Sequence, residues 1–459
     1  MPGVPTFRGC EACHRQKKKC DEKQPACSRC SRLRIACEGR GNVRFKFVHN
    51  NAHKPKSKRA VPAKSTGDKN GREVAPRRLL PSPLNFTVSS EVAKAASAFV
   101  SVLEVSDPRY DITCYGGWVL DLPRRLGANE ALDASVNALS ATFPAVHSKQ
   151  ITCKALSSYV KALEVLRLYI ADPVKVREPE TLCAIYLVMI CQGWIGTNTD
   201  DEAAHIAGMV YLLQDAKPQG EMPAFEKAVR RTIGVAIILE SISNPNINIT
   251  DLKESLCASE GPRALTKADG SRFPSLDVLF LSQIPDYLDR PVENIGHIRT
   301  YYSTLKLDTG EMHKRMQEIE EAILALSPGS LRSQALLLRQ CNMTQAGYGL
   351  LLGLCVLFGS ILTAFDPADQ VTAFEVTVQV DLVLQFADYV NATRPLGASY
   401  MCMPLLAGWV ATPAGQKRRQ LEAAMERYQT DLPTFLWADQ GKRLEEVFSK
   451  VSSSRVDVI

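Results

Sequence analysis

The sequence holds 459 residues, 45% of them hydrophobic and 23% charged, with a formal net charge of +6. That length exceeds what one hydrophobic core usually serves, and the composition excludes a wholly disordered chain or one embedded throughout in a membrane. The charge is unevenly placed: residues 1–80 carry 21 lysines and arginines against 6 acidic residues, and the remainder carries 34 against 43. A basic arm on an acidic body suits a protein of which one end approaches a polyanion while the other stays clear of it. Nucleic acid is the leading partner, and an anionic membrane surface is the rival.

The amino terminus, Met1 to Gly9, has no apolar run resembling a secretory signal, so the thiols are expected in a reducing compartment, where they prefer metal to disulfide. Six of the fourteen cysteines fall between residues 10 and 37. They read Cys10-x2-Cys13-x6-Cys20-x6-Cys27-x2-Cys30-x6-Cys37, a C-x2-C-x6-C half-motif written twice. Each half offers three thiolates, whereas a tetrahedral zinc takes four, so two closed sites built from six sulfurs must share two of them. The symmetric solution shares the first cysteine of each half. One zinc then takes Cys10, Cys13, Cys20 and Cys27, the other Cys27, Cys30, Cys37 and Cys10. Six thiolates and two zinc ions leave a net charge of −2, which Lys17, Lys18, Lys19, Lys23, Arg29, Arg32 and Arg34 more than offset.

These cysteines, with Lys19 before the third, Asp21 after it and Pro25 in the central loop, resemble the fungal Zn(2)-Cys(6) binuclear cluster domain. The resemblance implies two zinc ions bridged by Cys10 and Cys27, a nuclear location, and regulation of transcription by RNA polymerase II through double-stranded DNA. It also implies that the residues between the second and third cysteines form a short helix that enters the major groove and reads a CGG triplet. Here those residues are His14, Arg15, Gln16, Lys17, Lys18 and Lys19. Lysine donates to the O6 and N7 acceptors of guanine, and neighbouring cations neutralise phosphates, so Lys17 is the first choice as base reader. His14 and Gln16 depart from the family's usual basic residues, and glutamine suits adenine as well, which points to a degenerate triplet. In the second half Arg29, Arg32 and Arg34 are candidate phosphate contacts, beside Leu33 and Ile35, which can cover the cluster.

From Glu38 the chain is rich in Lys, Arg, Pro and Gly, without hydrophobic periodicity, and it includes the basic runs Lys54 to Arg59 and Arg77-Arg78. It reads as a flexible basic tether carrying nuclear-import or phosphate-contact segments. No heptad run lies between residues 38 and 90, so pairing through a coiled coil there is not expected, and a homodimer on DNA stays open.

Beyond residue 90, apolar residues recur at three-and-four spacing in Glu91–Val105, Tyr159–Ile170, Glu180–Ile190, Phe225–Leu239, Met312–Leu326, Val371–Tyr389 and Gln416–Tyr428. This predicts a mainly α chain whose helices break at Pro173, Pro218, Pro245, Pro285, Pro328 and Pro367. The expected division is a zinc cluster domain over 1–40, the tether over 41–90 and an all-helical domain over 91–459. Leu120 to Pro123, Ala131-Leu132, Tyr159 to Leu168, Glu180 to Leu182 and His205 to Gly208 resemble the helical regulatory domain of many fungal factors. That resemblance implies restraint or transmission of activation through ligands, co-regulators or the transcription machinery, often over a metabolic gene set such as a secondary-metabolite cluster. The eight scattered cysteines, Cys114, Cys153, Cys183, Cys191, Cys257, Cys341, Cys355 and Cys402, read as buried core thiols.

Gln340 to Phe365 has no charged residue and is long enough to cross a bilayer, but Gly347, Gly349, Gly353 and Gly359 suit a buried core helix, and Gly349-x3-Gly353 suits close packing. No catalytic motif is present. His205, near Asp201 and Glu202, reads as a structural residue of an amphipathic helix. The rival to DNA binding is a zinc-dependent protein-interaction module without base preference, and a zinc reservoir is a third reading.

Overall fold

The computed structural model describes residues 12–13, 16–21, 23, 27–33, 35 and 37, and then 90–453 except for 105–106, 197–199, 216–221, 245–246, 259–264, 327–330 and 432–436. The predicted tether with its basic runs lies outside the described residues. The chain divides into two units, Met1–Pro83 and Leu84–Ile459. Among the described residues every regular element is helical and there is no strand.

In the first unit Ala12 and Cys13 are helical and α1 spans Ser28–Leu33. Among the described residues the buried interior is Cys13, Cys27 and Cys30, with Ala12, Cys20 and Cys37 packed against them.

The second unit begins with α2 (Ser90–Leu103), α3 (Glu130–Ser148), α4 (Cys153–Ala171), α5 (Pro179–Ile195) and α6 (Asp200–Asp215). Local chemistry sets the boundaries. Asn129 caps α3 by accepting from the Leu132 amide at 2.8 Å, and Thr152 caps α4 by accepting from the Ala155 amide at 3.1 Å. Gly196, at φ 75°, ends α5 in the left-handed conformation that glycine adopts without penalty. Next come α7 (Ala224–Ser243), the short α8 (Lys253–Ala258), α9 (Val278–Leu281) and α10 (Ile284–Asp289), and the long α11 (Ile295–Leu324) and α12 (Leu331–Phe365). The unit closes with α13 (Gln370–Tyr389), α14 (Cys402–Ala411), α15 (Gln416–Gln429) and α16 (Trp437–Ser453).

All seven helices expected from periodicity are present, most of them longer than the sequence pattern marks. Not every proline breaks one. Pro285 stands in the first turn of α10 and Pro404 in that of α14, where a missing N–H leaves no intrahelical bond unmade. Pro173 and Pro367 do fall between helices, while Pro218, Pro245 and Pro328 lie outside the described residues.

Two groups of helices share one core. In the first, α3 packs on α2, α4 and α5; in the second, α12 packs on α11, α13, α14 and α16. The helix α7 touches α5, α9, α10 and α16, and Arg443 of α16 donates to the Ser241 carbonyl of α7 at 2.9 Å. Cys183, Cys191, Cys341, Cys355 and Cys402 are buried as expected. Cys114 and Cys153 are exposed, against the expectation of a buried thiol: Cys153 opens α4 at the surface, and Cys114 borders a hollow described below. The side chains of Cys257 and His205 lie outside the described residues.

Residues 333–365 are long and apolar enough to cross a membrane, and 78% of their most apolar window is buried within the protein. The glycines explain how α12 fits. A Cβ on Gly353 would stand 2.9 Å from the Pro404 backbone of α14, and one on Gly349 2.8 Å from the Tyr400 ring, so these positions admit the neighbouring chain only without a side chain. We expect Gly353→Ala to lower stability by about 1–3 kcal/mol through overpacking. Gly208→Ala in α6, where a Cβ meets nothing within 4 Å, should raise it by about 0.5–1 kcal/mol. Denaturant titration of the helical circular dichroism signal checks both, and equal effects would contradict the packing argument.

Candidate metal centre and nucleic-acid interface

The cysteine half-motif recurs at an offset of seventeen residues, and the backbone repeats with it. The Lys18 amide donates to the Cys13 carbonyl at 3.0 Å, and seventeen residues on the Ile35 amide donates to the Cys30 carbonyl at 3.1 Å. Each bond closes a helical turn from its sixth residue back to its first, the signature of a helix ended by a left-handed residue. In the first half that residue is Lys17, at φ 51°. A non-glycine residue pays about 1–2 kcal/mol for this conformation, so the surrounding contacts must impose it. Its counterpart Arg34 lies outside the described residues, as do Cys10, His14, Arg15 and Pro25.

These turns gather the sulfurs into two groups. Those of Cys13, Cys20 and Cys27 lie within 4.8 Å of one another, as do those of Cys27, Cys30 and Cys37. Cys27 belongs to both. A tetrahedral zinc with Zn–S bonds of about 2.3 Å holds its sulfurs about 3.8 Å apart. The Cys13 and Cys27 sulfurs are 3.8 Å apart, so the donor set fits that metal in type and spacing.

Backbone donors favour thiolate in this cluster. The Cys30 amide donates to the Cys27 sulfur at 3.4 Å and the Cys27 amide to the Cys37 sulfur at 3.3 Å. The Cys30 amide is the main influence holding the Cys27 thiol below its usual range. Asp21, the first residue after the third cysteine, accepts from the Ser28 amide at 3.0 and 3.3 Å and thereby caps α1 across the two halves. A hydrogen bond from the Ser28 side chain, and after it the one from the Ser28 amide, holds the Asp21 carboxyl below its ordinary value.

Around this centre Gln16, Lys17, Lys18, Lys19 and Arg32 are exposed. Arg29 is half-buried and turned inward: its guanidinium donates to the Gln16 side-chain oxygen and approaches the Cys13 sulfur at 3.9 Å. That contact ties α1 to the turn bearing Lys17. Sequence reading missed both it and the Asp21 cap, because neither partner of these pairs is marked by spacing.

The metal geometry and the basic surface beside it define a zinc-binding, DNA-binding module of a transcription regulator. Residues 8–43 match the family model of the fungal Zn(2)-Cys(6) binuclear cluster domain, which holds two zinc ions. The match spans this segment and leaves the helical unit outside it. Comparison with curated proteins and with solved structures finds no match.

The shared sulfur gives a stoichiometric expectation. The full-length chain should hold two zinc ions by atomic emission, Cys27→Ala should reduce this below one, and Cys153→Ala in the helical unit should leave it at two. Retention of two zincs by Cys27→Ala would refute the sharing. Acid must protonate thiolates to release metal, and the lowered values of Cys27 and Asp21 mean that their contributions persist above those values and are lost as pH falls through them.

Proposed function

We propose that this chain is a nuclear, sequence-specific regulator that reads a CGG-like triplet in the major groove with the residues between its second and third cysteines. In this reading Cys10 supplies the fourth sulfur to both three-sulfur groups, so that Cys10 and Cys27 bridge two zinc ions completed by Cys13, Cys20, Cys30 and Cys37. Lys17 donates to guanine O6 and N7, Lys18, Lys19 and Arg32 set the register on phosphates, and His14, Arg15 and Arg34 extend the basic surface. Arg29 holds Gln16 and stands as a further phosphate contact.

The observation that carries the reading is the exposed Lys17 in a left-handed turn, tied by the Lys18–Cys13 bond directly to a sulfur ligand. The metal centre thereby fixes the position of a basic side chain that has no part in binding the metal. A protein-interaction module gives no reason for that coupling.

We assign residues 1–40 to DNA recognition, 41–90 to a basic connection and 91–459 to regulation through co-regulators or the transcription machinery. The resemblance of the cluster to fungal factors extends the proposal to control of a metabolic gene set.

Selection from a randomised duplex pool by the full-length chain, with zinc and again with a chelator, tests the reading. A CGG-like motif that vanishes on chelation is expected, and one or two copies of it distinguish a monomer from a homodimer on DNA. Sequence-indifferent or chelator-insensitive binding would sink the proposal in favour of the interaction module. Lys17→Ala should cost about 1–3 kcal/mol of discrimination at one base, whereas Lys18→Ala should weaken all sequences alike and lower the salt slope by about 1.

A further inference from the structure

The helical unit contains a hollow of about 640 Å³, within the range of small-molecule sites. Protein interiors pack to crystal density with few voids larger than a water molecule, so a hollow of this size departs from the packing around it. It lies between α7, α12, α14, α16 and the short turns at Gly117 and Ser399, and its wall is mainly apolar. Two charged residues of α7, Arg231 and Glu240, border it with opposite signs, and each already has an interaction partner. The wall therefore asks for no net charge.

One side chain in the wall bears on how open this space is. Cys114 is accessible to solvent, yet burial among protein atoms pushes its thiol well above the usual range. A side chain with both properties faces a recess within the protein.

We propose that this hollow binds a neutral, predominantly apolar small molecule. The wall draws on residues from Cys114 to Leu444, so an occupant would contact both helix groups of the unit at once. The inference concerns the helical unit alone and stands whether or not the DNA reading holds.

The test uses the full-length, zinc-loaded chain and Nile red, a neutral apolar fluorophore. Saturable binding at one dye per chain is expected. Gly117→Leu adds bulk at a wall position where a Cβ meets nothing within 4 Å. That variant and Ala236→Phe should each weaken binding at least tenfold. Thermal melts of the helical signal establish that the variants fold. Should the filling variants fold poorly, alkylation of Cys114 by N-ethylmaleimide in the unmodified chain decides: the dye should slow it at least fivefold while leaving Cys153 unaffected. Unsaturable dye binding, undiminished binding to folded filling variants, or unprotected Cys114 would each overturn the proposal.

Discussion

The described residues of the first unit are arranged around two three-sulfur groups that share Cys27. Among its described residues the buried ones are Cys13, Cys27 and Cys30, and no aliphatic or aromatic side chain is buried beside them. A segment this short cannot bury enough apolar surface to hold itself together, so metal ligation must replace the hydrophobic core. Because the ligands must be deprotonated and assembled together, metal binding and folding are the same event here. The paired i to i+5 bonds at Cys13 and Cys30 follow from this: each half must reverse direction just after its second ligand so that the third can return to the same ion.

The same constraint explains what the sequence disclosed. Metal ligation demands particular residues at particular separations, so the cluster was visible as a pattern before any geometry was known. Helices such as α13 and α15 showed through their apolar spacing because one side of each meets solvent. Others, such as α5, are buried on nearly all sides from Thr181 to Ile190 and offer no contrast between faces, so the pattern marks them only in part. The Gly349 and Gly353 pair was legible as a close approach because glycine spacing has a steric meaning. The hollow was not legible. Its wall is assembled from α7, α12, α14 and α16, and its leucines and methionines are the same residue types that fill the core elsewhere. Arg29 was legible only as a candidate phosphate contact, and its half-buried position beside Gln16 and Cys13 is set by the fold.

The two units solve the stability problem by different physics. The helical unit closes a single continuous apolar core over more than three hundred residues, with capping side chains such as Asn129, Thr152 and Asp369 satisfying helix ends. Its excess of acidic residues repels polyanions, while the basic excess lies in residues 1–80. Separating the charges in this way confines the electrostatic attraction for DNA to the segment that also carries the metal.

In the proposed reading, the strain at Lys17 links metal affinity to recognition. A left-handed lysine costs about 1–2 kcal/mol, a sum that would matter in a marginal domain. Structural zinc in small domains contributes about 10–16 kcal/mol, so the ligation offsets this strain many times over. Glycine would remove the strain and with it the side chain that the turn presents to solvent. Retaining lysine at the one position where the helix must reverse makes the basic group part of the same turn that returns the chain to Cys20. If Lys17 reads a base as proposed, its distance from the metal is set by two backbone angles and one hydrogen bond rather than by a flexible linker, the rigid separation that selecting a base in the groove requires.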